Sequence, residues 1–302
     1  MQVFVTGGTG AIGRPAVAAL VAVGHTVSAL ARTPDRAAAL EAQGARPVAV
    51  SLFDREGLAL AFAGHDAVVN LATAIPPTWQ FMRQSAWTDN QRIRTEGSAA
   101  VVDAALAAGV DTLVQESVAM VYPDRGAEWI DEDVPPDRYP MAEGNLAAEG
   151  NARRFTGAGG RSMVLRFGWF HGPGAAHSEE LLALARRHVA TMLGPADGFV
   201  SSIHVADGGA AVAAALAAPA GTWNVVDDEP LTKRAFADAL GAAVGVTPWV
   251  RLPGRAALLL GDRSTSLTRS LRVANGRFRE ATGWTPRYPS AREGLAATAQ
   301  AA

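Results

Sequence analysis

Short β-branched runs alternate with longer Ala-rich stretches through the first half of the chain. Gln2–Thr6, Thr26–Ala31, Arg46–Val50, Ala67–Leu71, Thr112–Glu116 and Ser162–Arg166 read as strands. The spacing between them predicts helices over Ile12–Val23, Pro34–Gln43, Arg55–Phe62, Thr88–Ala108 and Met141–Phe155. Such a βαβ rhythm implies a parallel sheet covered by helices on both faces. Beyond Arg166 the rhythm gives way to loops rich in Gly and Pro, with a helix near Glu179–His188 and a strand over 221–226 that should return to the main sheet. Further helices are expected over Lys233–Ala243 and Arg272–Thr282, and the Ala-rich tail from Leu295 is expected to fray. The fold class is α/β, a doubly wound parallel sheet in residues 1–170 with a smaller carboxyl-terminal substrate lobe in residues 171–302.

The first strand runs into Thr6-Gly7-Gly8-Thr9-Gly10-Ala11-Ile12-Gly13, which opens the first helix. A strand before this loop and an amphipathic helix after it are the setting of a Rossmann dinucleotide fingerprint. Glycines let the backbone approach a pyrophosphate, whose charge meets free N–H groups and the positive end of the helix. Gly7, Thr9, Gly10, Ala11, Ile12 and Gly13 are the expected cradle. The acid that grips ribose hydroxyls in NAD sites should lie about 20 residues further on, at the end of the second strand. That place reads Ala31-Arg32-Thr33, with Arg36 one turn later, so a 2′-phosphate would meet two guanidinium groups and NADP is the expected cofactor. By topology, Ser51 and Leu52 flank the adenine, while Leu71, Ala72 and Thr73 pass beneath the ribose and nicotinamide.

Composition narrows the partners. A net charge of −2 made of interspersed charges offers no basic stripe for nucleic acid and no cationic membrane face. A small-molecule partner is expected, and a homodimer is compatible with this fold class. The absence of cysteine excludes disulfides, thiolate zinc sites and a cysteine nucleophile. His177, His188 and His204 show no ligand spacing with nearby carboxylates, so no metal is expected. The opening strand leaves no room for a secretory leader and no apolar run reaches membrane-spanning length, so the expected location is cytoplasmic. Lys233 is the only lysine among the 27 basic residues.

Several further segments agree, in order, with one family. Asp66-Ala67-Val68-Val69-Asn70-Leu71-Ala72, Glu116-Ser117-Val118-Ala119-Met120-Val121-Tyr122 and Leu165-Arg166-Phe167-Gly168-Trp169-Phe170-His171-Gly172-Pro173-Gly174 are followed by Ile203-His204-Val205-Ala206-Asp207 and Gly283-Trp284-Thr285-Pro286. Over nearly its whole length the chain resembles the extended short-chain dehydrogenases, the epimerase/dehydratase family. That resemblance implies NAD(P)-dependent redox chemistry on a carbonyl or alcohol. It also implies a Tyr that moves a proton, a Lys four residues later that lowers its pKa, and a Ser or Thr that positions the oxygen. Here one alignment puts Met141 at the tyrosine and Asn145 at the lysine, while another starting from Tyr139 puts Glu143 at the lysine. Four residues before Tyr122, where the family's hydroxyl stands, is Val118. Ser117 is one place earlier, and on a strand that single step reverses the face.

Tyr139 is therefore the leading proton donor in this reading, with Tyr122, Ser117, Glu143 and His171 as further catalytic candidates. Segment 73–82 is too apolar for a solvated loop, and Trp79, Phe81, Met82 and Trp169 are expected to wall a substrate pocket. The function that follows is an NADP-dependent oxidoreductase or epimerase of atypical mechanism, acting on a small metabolite that an aromatic compound would fit. A cofactor-sensing regulator and a non-redox enzyme on the same fold stay open.

Overall fold

The computed structural model describes residues 1–190, 192–250 and 254–301. From the centre of a seven-stranded parallel sheet, β1 (Gln2–Thr6), β2 (Thr26–Leu30) and β3 (Arg46–Val48) run to one edge. β4 (Ala67–Asn70), β5 (Thr112–Val118), Arg161–Phe167 and Gly221–Val225 run from β1 to the other. The order reverses between β1 and β4, which opens a crevice at the carboxyl ends of the strands.

The sheet is apolar on both faces because its strands are apolar at successive positions. Val3, Val5 and Val69 face one core with Val17 and Leu20 of α1 (Gly13–Ala22) and Leu40 of α2 (Pro34–Glu41). Phe4, Val68 and Leu113 face the other with Leu58 and Phe62 of α3 (Arg55–Phe62). The helix expected over Thr88–Ala108 is present but jointed: α4 (Thr88–Arg92) passes through a π turn over Ile93–Gly97 into α5 (Ser98–Ala107). Such turns insert a residue and re-aim the side chains around them. α6 (Glu143–Gly157) completes this layer against β5.

Beyond His171 the chain adds elements outside the sheet and also returns to it. α7 (Ala176–Ala185) comes first, whereas α8 (Val205–Ala215) packs on α1 and leads to Gly221–Val225, as the expected returning strand requires. α9 (Lys233–Ala243) rejoins α7. α10 (Thr265–Thr268) lies near the crevice. The helix expected over Arg272–Thr282 is corrected by the structure: Arg272–Val273 pairs with Trp129–Ile130, and only α11 (Gly276–Thr282) is helical. Val273 is fully buried and the Arg272 guanidinium stacks on the rings of Trp129 and Phe199, contacts that an extended segment reaches and a helix would not. The tail is also corrected. α12 (Ala291–Ala301) is a helix whose Leu295 packs with Leu182, Phe236 and Leu240. No helix among the described residues is long and apolar enough to cross a membrane.

Because Leu295 is fully buried, Leu295→Ala should cost about 2–5 kcal/mol of folding stability. Urea unfolding measures this, and a midpoint equal to that of the parent would mean that the tail adds nothing to the core.

Candidate active site

The crevice is lined by the glycine loop and the strand ends. Gly7 has φ +73°, and a Cβ there would lie 2.4 Å from the Leu71 carbonyl oxygen, so only glycine permits this approach of β1 to β4. α1 starts with no side-chain cap and no acid in its first turn, leaving its amino-terminal N–H groups without a competing anion. Thr9, Gly10, Ala11, Ile12, Arg32, Arg36, Ser51, Leu52, Leu71, Ala72 and Thr73 line this groove together with Gly7. Gly13 stands behind it, where a Cβ would meet the Gly7 oxygen at 2.0 Å. The groove walls also include Arg14, Asp35, Phe53, Glu116 and Phe170, which sequence reading did not single out. This donor-rich, acid-poor loop at an uncapped helix fits a dinucleotide pyrophosphate.

A largely apolar cavity, about 820 Å³ with its open mouth included, adjoins the groove. Thr73, Ile75, Glu116 and Phe170 belong to both. Phe81, Trp87 and Trp169 give it aromatic walls. Of the residues expected there, Phe81 and Trp169 line it, Trp79 is 77% exposed and Met82 is not on its wall. Trp79 sits on a short 3-10 turn, Thr78–Gln80, that turns its ring outward.

Three positions suggested by the resemblance meet on this wall: Val118 from β5, Met141 and Asn145. Asn145 leaves its amide oxygen buried without a partner. Beside them, Arg94 pairs with Glu116 through Nη2 to Oε1 at 2.8 Å, and its Nη1 donates to the Glu116 carbonyl. Burial pushes the Glu116 carboxyl up, against the opposing pull of Arg94, and Oε2 has no partner. A carboxylate in a strand buried on both faces must have a counter-ion. That was the sequence signal for Arg94, and the π turn carries it to the strand.

The other candidates go elsewhere. The Ser117 hydroxyl donates to Glu149 Oε1 at 2.7 Å, away from the cavity wall. Glu149 is wholly buried and receives Arg166 through both oxygens, at 2.9 and 2.7 Å. Tyr122 is also wholly buried, stacked on Arg166 and donating to Asn224 Oδ1 at 2.8 Å, so its role is packing. His171 is enclosed beside Asp227, 3.6 Å away, behind the cavities. Glu143 is exposed and lies 3.8 Å from Arg138. Tyr139 does line the cavity, but its hydroxyl donates to the Met120 carbonyl at 2.8 Å. Burial pushes its pKa up to about 12, although Arg269 beneath the ring opposes the shift. His177 Nε2 contacts the Phe170 carbonyl at 2.6 Å and so carries the proton there, while burial lowers the ring's pKa.

Glu149→Leu would leave Arg166 as a buried, unpaired cation, so a loss of about 3–5 kcal/mol in stability is expected. Thermal unfolding of the variant with Arg166→Met added should recover part of it, since both charges are then gone.

The profile of the NAD(P)H-binding family matches residues 7–178. A Streptomyces sp. protein, 3-diazoavenalumate denitrifying reductase, is 36% identical over a 310-residue alignment that covers 98% of this chain and 99% of the relative. A Stigmatella aurantiaca protein, 4-hydroxy-2-methyl-3-oxo-4-farnesyl-3,4-dihydroquinoline-1-oxide ketoreductase, is 29% identical over 282 residues, covering 90% and 82% of the two chains. Among solved structures, human epimerase family protein SDR39U1 with NADPH is similar at TM-score 0.83 and 25% identity, over 99% of each chain. The chain belongs to the NAD(P)H-binding family, within the short-chain dehydrogenase and epimerase group of NAD(P)-dependent oxidoreductases.

Proposed function

We propose that the protein is an NADPH-dependent reductase of small aromatic molecules, and that its acceptor takes hydride without a proton from the enzyme. One observation carries the reading. The cavity that adjoins the dinucleotide groove presents Val118, Met141 and Asn145 where the family resemblance calls for a hydroxyl, a tyrosine and a lysine. Tyr139, the remaining phenol on the wall, has its proton committed to Met120. An arenediazonium ion meets these terms. Such an ion would accept a hydride at its ring carbon, the hydride's electron pair forming the C–H bond while the C–N bond broke and dinitrogen left with that bond's pair, so no proton would be needed. The resemblance to a denitrifying reductase supports this class of acceptor. When bound, the dinucleotide supplies the hydride. The chain's own residues hold it through the glycine loop, exclude water with Phe81, Trp87 and Trp169, and face the acceptor with Asn145 and Glu116.

The cofactor preference rests on Arg32 and Arg36, both on the groove wall with Asp35 beside them. Replacing both arginines by alanine should weaken NADPH binding at least tenfold and leave NADH nearly unchanged, as calorimetry would record. Equal losses for the two cofactors would refute a 2′-phosphate contact.

Tyr139→Phe separates this mechanism from general acid catalysis. Loss of an acid costs about 10² to 10⁴ in rate, whereas here kcat on an arenediazonium salt should stay within about twofold. Stability should fall by about 1 kcal/mol for the lost Met120 bond. A panel of diazonium salts, enones and ketones, followed by NADPH absorbance against an enzyme-free control, supplies the substrate. If ketones react best and the variant is dead, Tyr139 is the acid. Tight NADPH binding with no acceptor turned over would favour the regulator.

A further inference from the structure

A second cavity, about 750 Å³ with its mouth included, adjoins the first. Phe81, Met120, Trp169, His177, Ser266 and Leu267 line both, so the two lie side by side. Beyond this shared wall the lining is mostly apolar, with Leu181, Met192 and Leu271, and its polar members are Thr78, Ser201, Arg269 and Lys233.

Lys233 is the chain's only lysine, and it is 2% exposed. Its Nζ donates to the carbonyls of Leu267 and Thr268 at 2.9 and 2.7 Å, which leaves one of its three N–H donors uncommitted. Among the described residues no carboxylate lies within ion-pair distance of it. The acid whose charge it feels, Asp124, is committed to the backbone N–H groups of Gly126 and Ser270. The space for the ammonium is provided by Gly194, where a Cβ would stand 2.3 Å from Nζ. A buried cation without a counter-ion is costly, and burial lowers the Lys233 pKa to about 8. Capping the carboxyl end of α10 needs only the two carbonyl bonds. It does not account for a buried lysine lining a mostly apolar cavity beside the proposed hydride site. Arg269, on the same wall, is already held by Asp137 and the Tyr122 carbonyl.

We propose that this second cavity seats a carboxylate-ended tail on Lys233, so that the substrates are elongated aryl acids with the ring in the first cavity and the acid in the second. The proposal rests on the first cavity being the acceptor site. The carboxylate completes the third hydrogen bond of the ammonium and neutralises it, while the tail displaces water from Leu181 and Met192. Binding, with no chemistry required, reads out this arrangement.

The probes are cinnamate and 5-phenylpenta-2,4-dienoate, each with its methyl ester, titrated calorimetrically into the NADP⁺ complex. A desolvated charge pair predicts that at least one acid binds about 10- to 100-fold more tightly than its ester. Lys233→Met should abolish that ratio while leaving ester and NADP⁺ affinities in place, and Lys233→Arg should restore part of it. An acid-to-ester ratio that survives in Lys233→Met, or that is near one in the parent, overturns the proposal and leaves the lysine a helix cap. Should Lys233→Met fail to fold, Leu181→Trp fills the same cavity without touching the charge. It should cost the preferred acid at least tenfold and spare benzoate, and equal affinity for that acid in parent and variant also overturns the proposal. Acid-selective binding with no acceptor reduced would defeat the reductase reading and leave the carboxylate seat standing. Turnover without acid selectivity would do the reverse.

Discussion

Complete burial of the Glu149 carboxylate is the constraint on which the wall of the first cavity depends. It is met by both forks of Arg166 and by the Ser117 hydroxyl, which ties α6 to β5 and to the neighbouring strand Arg161–Phe167. With Ser117 turned to Glu149, strand alternation sends Glu116 and Val118 to the cavity wall. One turn earlier on α6, Asn145 is carried to that same wall. Arg166 also supports the Tyr122 ring, whose hydroxyl reaches Asn224 on the edge strand Gly221–Val225. The network thus runs from a helix through three strands, and it decides which side chains the cavity receives.

The parts of this arrangement that were legible in the sequence obey local rules. The glycine loop, the β-branched strands and the place of Arg32 and Arg36 all follow from chain spacing, and the groove gathers them. The strand-face argument that moved Ser117 away from the chemistry also matches its bond to Glu149. What stayed hidden depends on pairings between distant segments. Arg94 meets Glu116 only because a π turn shifts one helix, and no periodicity in residues 88–108 marks it. Tyr122 and His171 were placed near the crevice by topology, yet each is sealed by elements from the second half of the chain. The tail reads as unsupported until α7 and α9 supply the surface that Leu295 packs against.

Burial shapes the electrostatics of the two neighbouring cavities differently. In the first, two oxygens, Oε2 of Glu116 and the amide oxygen of Asn145, lack partners alongside two N–H donors, Nε of Arg94 and Nε1 of Trp169. In the second, the ammonium of Lys233 has hydrogen bonds but no counter-ion. Burial keeps both effects from being screened away. The first cavity is therefore polar but charge-balanced by the Arg94–Glu116 pair, whereas the second carries the ammonium of Lys233 without a counter-ion.

That polarity bears on why the family's lysine would be unsuited to the chemistry proposed here. An ammonium at Asn145 would lie beside the hydride acceptor, and two like charges about 4 Å apart at an effective dielectric of about 20 repel by about 4 kcal/mol. A diazonium head would be excluded by the group that assists a ketone. Asparagine removes the charge and leaves a buried amide oxygen without a partner. With no lysine there, a tyrosine at Met141 would keep its ordinary pKa and gain nothing as a base. Methionine instead fills the space with a soft apolar surface. On the proposed function, the missing dyad and the position of Lys233 would serve one substrate. The chain's one lysine lines the second cavity, where the proposed tail would meet it while the cationic head pointed toward the cofactor.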